Sequence, residues 1–127
     1  MRARSRRAYA LIIVDGKALT VRNRAGRWGL PGGRAKDGET FQQALKREVR
    51  EEIGVRIKVK ERLPHSHVRN HRGPCEGCVV FAAKIKKGTP ISAAEITRVR
   101  WVPLEDLPGT LTRFSTRRMT AVVEGAA

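Results

Sequence analysis

The sequence predicts one α/β (α+β) domain over residues 1–127, a mixed set of strands with two helices in a sandwich-like arrangement. Three observations carry that expectation. At 127 residues the chain is long enough for a single hydrophobic core. Short β-like apolar runs recur between Gly- and Pro-rich turns. One stretch near the middle repeats its apolar residues at helical spacing instead.

Ala8 to Val14 is rich in aliphatic and β-branched residues and reads as a strand. Asp15-Gly16 then separates it from a second run, Ala18 to Arg22, a strong hairpin signal. The next segment, Gly26-Arg-Trp-Gly-Leu-Pro-Gly-Gly33, is expected to be irregular and to turn sharply. Thr40 to Ile53 has helical composition, and Gly54 closes it. Val55, Ile57 and Val59 alternate with Arg56, Lys58 and Lys60, the pattern of a half-buried strand. Cys78 to Ile85 is another strand, and one more ends at Pro103. A second helix is expected from Arg113 to Glu124, packing through Phe114, Met119 and Val122 or Val123.

Composition narrows the partners. Lys and Arg number 27 against 12 Asp and Glu, a formal charge of +15. Such a surface attracts polyanions, so nucleotides, acidic lipid and RNA are all candidate partners. No apolar run reaches the roughly 20 residues that span a bilayer, and no membrane association is expected. The N-terminal YALIIV is short and reads as a strand, not a signal peptide. Two cysteines supply no disulfide framework, which suits reduced thiols and a cytoplasmic location. The loop holding His65, His67, His71, Cys75 and Cys78 is a weak zinc pattern, because it offers one Cys pair and not two. Whether the chain is a monomer or a homodimer is left open.

Against this basic background, five of the twelve acids (Asp37, Glu39, Glu48, Glu51 and Glu52) fall between Gly33 and Val55. A helix advances about 100° per residue, which puts Glu48 and Glu52 on the same side as Phe41, Ala44 and Leu45. Glu51 lies to one side, while Gln43, Lys46, Arg47 and Arg50 are assigned to the far face. Unpaired carboxylates against a core are costly, so something positive must meet them. Arg47, at i,i+4 to Glu51, supplies one charge. A divalent ion held by hard oxygen ligands would supply more, and Gly32-Gly33 would let a main-chain carbonyl approach it. Arg22, Arg24, Arg27 and Arg34 surround the Gly-rich loop as candidate phosphate ligands, with Trp28 as a candidate base-stacking residue.

The segment resembles the box of the Nudix family. Gly33, Glu39, Arg47-Glu48-Val49, Glu51-Glu52, Gly54 and Val55 fill all nine defined positions across 23 residues. Trp28-Gly-Leu-Pro-Gly32 and Trp101-Val-Pro-Leu104 are similar to what flanks that box. The resemblance implies an α/β/α sandwich with a mixed sheet, the box forming loop-helix-loop. It also implies Mg²⁺- or Mn²⁺-dependent hydrolysis of a nucleoside diphosphate linked to another moiety: a nucleoside triphosphate, nucleotide sugar or dinucleotide polyphosphate. An RNA-binding module, or an RNA 5′-end pyrophosphohydrolase using the basic surface, is the alternative. Carried over by position, Glu48, Glu51 and Glu52 become metal ligands together with the Gly32 carbonyl. Arg47 becomes the residue that orients a box glutamate, with Gly33 and Glu39 in support. The general base is a box glutamate or a later one, for which Glu95 is the candidate.

Overall fold

The computed structural model describes residues 6–64, 77–112 and 116–126. Its strands are β1 (Arg7–Val14), β2 (Lys17–Asn23), β3 (Trp28–Gly29), β4 (Gly32–Arg34), β5 (Arg56–Arg62), β6 (Cys78–Lys87) and β7 (Ile96–Pro103). Its helices are α1 (Phe41–Ile53), α2 (Leu107–Thr110) and α3 (Thr116–Ala126), with a 3₁₀ turn at Leu104–Asp106.

Strand β1 organises the sheet. On one side it runs parallel to β6, from Arg7 opposite Cys78 to Ile12 opposite Ala83. On the other it pairs antiparallel with β4 near its start and with β2 near its end. The β1–β2 turn has Asp15 and Gly16 at φ 51° and 74°. Positive φ at both central residues is what a tight, right-twisted hairpin requires, which is why Asp-Gly marks it in the sequence. Beyond β2 lie β3 and the long partner β7, while β5 closes the other edge against β6.

A strand between two neighbours must be covered on both faces, so its sequence is apolar without a break. Tyr9 and Leu11 of β1 face one way, joining Val80, Leu107, Leu111, Met119 and Val122. Ala8, Ala10 and Ile12 face the other, joining Val79, Phe81, Leu45, Val49 and Ile53. Helix α1 thus covers one face and α2 with α3 the other, giving an α/β/α sandwich. Fully burying Leu45, Val49 and Ile53 contributes about 1.5–3 kcal/mol each.

Two sequence expectations change here. The Gly-rich segment is not wholly irregular, because its two ends pair as β3 and β4 with strands already in place. A four-residue helix, α2, also follows the Pro103 turn, too short to leave a periodic signal. The predicted tail helix is present as α3, while residues 113–115, including Phe114, lie outside the described residues.

Candidate active site

Helix α1 is held at both ends. Thr40 caps its start, its side chain accepting from the Gln43 N–H while the Gln43 side chain accepts from the Thr40 N–H, at 3.1 and 2.9 Å. Gly54 ends it in the left-handed conformation, φ 70°. The loop after β6 then caps its last carbonyls, with Ile91 N–H donating to Ile53 and Ala93 N–H to Glu52, both at 3.0 Å.

The strand before the helix passes very close to it. Gly32 sits at φ 139°, and a Cβ there would collide with the Ala8 carbonyl. At Gly33 a Cβ would lie 2.8 Å from the Glu48 carboxyl group. Only glycines let β4 lie between β1 and the acids of α1. The Gly32 N–H uses that approach to donate to Glu52 Oε1 at 2.8 Å.

Arg47 is the centre of the site. Its Nε and Nη2 grip the two Glu39 oxygens at 2.8 and 2.9 Å, a bidentate pair. Nη1 donates to Glu48 Oε1 at 2.9 Å and approaches Glu51 Oε2 at 3.3 Å. Nη2 also reaches the Arg34 carbonyl at 3.0 Å. The helical wheel places Arg47 on the far face, yet its long side chain swings round to the acids. One arginine therefore meets three carboxylates, although its single charge cannot neutralise them. Glu39 additionally accepts from the Lys36 N–H at 2.7 Å. Hydrogen bonds from Arg47, and then from Lys36, hold the Glu39 carboxyl down to about 2. The same Glu39 contact raises Arg47 further above its ordinary range.

Carboxylate oxygens are the donor type that suits a hard divalent cation. Glu48, Glu51 and Glu52 offer carboxylate oxygens within two turns, and Glu48 and Glu51 already converge on one cationic atom, Arg47 Nη1. Glu52 instead turns to the Gly32 N–H. Among the described residues no three acidic, His or Cys side chains are gathered about one point. Gly32 is thus seen as a donor to Glu52, whereas the family pattern casts its carbonyl as a ligand.

The remaining candidates sit apart. Glu95 is exposed at the end of the loop whose Ala93 binds the Glu52 carbonyl. Arg34 is exposed and enters the network only through its carbonyl. Arg22, Arg27 and Trp28 belong to the β2–β3 hairpin, where Arg22 lies by Gly26 and the Arg27 N–H donates to Asn23. Trp28 is anchored through its backbone to Thr112, and the Arg100 guanidinium lies 5.9 Å from the ring centre. Lys36, whose N–H fixes Glu39, was missed from the sequence, since a backbone donor leaves no residue-type signal. Of the weak zinc pattern, His65, His67, His71 and Cys75 lie outside the described residues. Cys78 is buried at the start of β6 and disulfide-bonded, against the expectation of reduced thiols.

The family model for the NUDIX domain matches residues 4–122. The chain belongs to the Nudix family. A MutT-like protein of Streptomyces ambofaciens is 31% identical over 120 residues, covering 94% of this chain and 76% of that one. The mouse oxidized purine nucleoside triphosphate hydrolase is 30% identical, over 80% of this chain and 69% of its own length. Among solved structures, an ADP-ribose pyrophosphatase from Streptococcus suis superposes with a TM-score of 0.76 at 22% identity, covering 98% and 92% of the two chains. Being a Nudix hydrolase, the protein acts on phosphoric anhydride bonds of small nucleotide substrates. Among the described residues no helix is long and apolar enough to cross a membrane.

Proposed function

We propose that this Nudix chain is a Mg²⁺- or Mn²⁺-dependent pyrophosphohydrolase of a nucleoside diphosphate linked to a further group, with nucleoside triphosphates as the leading class. The observation that carries the reading is the Arg47 network, which fixes Glu39, Glu48 and Glu51 beside the side-chain-free strand at Gly33. The mouse relative, named as a nucleoside triphosphate hydrolase, weighs toward triphosphates.

Glu48, Glu51 and Glu52 would hold the ion, which would neutralise the diphosphate and lower the pKa of bound water. This chain's residues do the rest. Arg47 aims Glu48 and Glu51 to the same side of α1. Glu39, itself locked by Lys36, keeps Arg47 from rotating away. Glu52, which accepts from the Gly32 N–H, is tied to the strand before the helix. Water attacks phosphorus, the bond to the leaving phosphate breaks, and one proton passes to a carboxylate, either a glutamate of α1 or Glu95. Candidate phosphate ligands are Arg22, Arg27 and Arg34, with Trp28 beside the base.

The test is a panel of nucleoside triphosphates including 8-oxo-dGTP, nucleotide sugars, dinucleotide polyphosphates and 5′-triphosphorylated RNA, assayed with Mg²⁺ and with Mn²⁺. Glu51→Gln and Glu52→Gln should each lower turnover by about 100-fold or more with the fold intact. Undiminished rates in both variants would defeat the mechanism. Preference for the RNA over every free nucleotide would move the activity to the RNA 5′ end.

A further inference from the structure

The outer flank of α1 carries a second feature, whose basic rim the proposed reaction does not use. A cleft of ≈ 450 Å³ lies between α1 and the β5–β6 edge, lined by Lys46, Arg47, Arg50, Glu51, Arg56, Ile57 and Lys86. That volume lies within the size range of small-ligand sites. Arg47 is committed to the acids described above. Lys46, Arg50, Arg56 and Lys86 are exposed, and among the described residues none of them makes an ion pair or side-chain hydrogen bond.

The gathering of those four charges is built into the sheet. Ile57 pairs with Ile85, and both pack on the α1 side. Strict alternation would then send Lys86 to the opposite face. The register shifts between Arg56 and Ile57, so that Arg56 pairs with Lys87 and Lys86 has no opposite number. Such an irregularity re-aims a side chain, and here it brings Lys86 to the cleft. The same shift sets Arg56 directly against Lys87, a like-charge pair that costs stability. A fold that accepts this repulsion to collect unpaired cations around a concavity is arranged for a multiply charged anion.

We infer that the cleft bounded by Lys46, Arg50, Arg56 and Lys86 is a phosphate-binding site for linked phosphates, separate from the acids of the active site. Glu51 is its one acidic lining residue and marks the border between the two sites. The binding needs no metal, so it stands or falls apart from the proposed hydrolysis.

The experiment measures binding of sodium tripolyphosphate by calorimetry in EDTA, with wild type and two triple variants. In Arg50→Gln/Arg56→Gln/Lys86→Gln the affinity should fall by roughly 10-fold or more. A control, Lys17→Gln/Lys60→Gln/Arg98→Gln, removes the same charge from exposed positions outside the cleft and should stay close to wild type. Equal weakening in both variants would reduce the effect to net charge and overturn the site. Absence of wild-type binding would overturn it too, as would single-stranded RNA binding that depends on the cleft residues while tripolyphosphate does not bind. Unchanged circular dichroism and melting temperature in both variants tie the loss to the cleft.

Discussion

Helix α1 treats its two flanks oppositely. Toward β4, the charges of Glu39, Arg47, Glu48 and Glu52 all meet partners between 2.7 and 2.9 Å away. Toward β5, among the described residues, Lys46 and Arg50 meet none, and Arg56 and Lys86 join them in the same condition. Packing explains the difference. Arg47, Glu39 and Glu48 have side chains only about one-fifth exposed, where an unpaired charge is expensive. Solvent screens the outer cations, so they can wait for a ligand at little cost. A satisfied network holds geometry, whereas an unsatisfied one recruits.

Arg47→Lys should break the comparison most strongly. Lysine has no fork, so it cannot grip both Glu39 oxygens while reaching Glu48 and the Arg34 carbonyl. Turnover should fall by about 10–100-fold with KM changing less, and steady-state kinetics would show it. An Arg47→Lys enzyme as fast as wild type would mean that the network does not position the acids.

Acidity sharpens the contrast next. Because the Glu39 carboxyl is lowered from 4.5 to about 2, its contribution to stability is present above about pH 4.5. It is lost as pH falls from there through 2. The melting-temperature gap between wild type and Glu39→Gln should therefore be constant from pH 7 to 5 and close between pH 4.5 and 2. A gap independent of pH would show that Glu39 acts through packing alone.

The smallest effect is expected on the other flank. Arg50→Gln should change stability by no more than about 0.5 kcal/mol in thermal unfolding, since its exposed side chain has no partner to lose among the described residues. A substantial loss would reveal a structural role and weaken the case that the cleft is kept open for an anion.

Much of this was legible beforehand. Asp15-Gly16, the Thr40 to Gly54 helix and the alternation of Val55 to Lys60 are local signals, and local backbone chemistry enforces them. The acids of α1 were legible too, because their spacing survives folding. Arg47 was misplaced, since a wheel records where Cα–Cβ bonds point and not where a long side chain ends. The Gly26 to Gly33 segment was read as irregular because β3 and β4 are strands only by virtue of their neighbours β2 and β1.

Sequence alone thus determined the order of the longer elements, the apolar central strand and the inventory of acids on one helix, all properties of residues near one another in the chain. Tertiary structure decided that Gly33 would lie against Glu48 and that the Arg34 and Lys36 backbone would brace Arg47 and Glu39. It also decided that one shift in strand register would turn Lys86 toward Lys46 and Arg50. Those contacts join residues distant in the chain, and no local propensity encodes a distance that only packing sets.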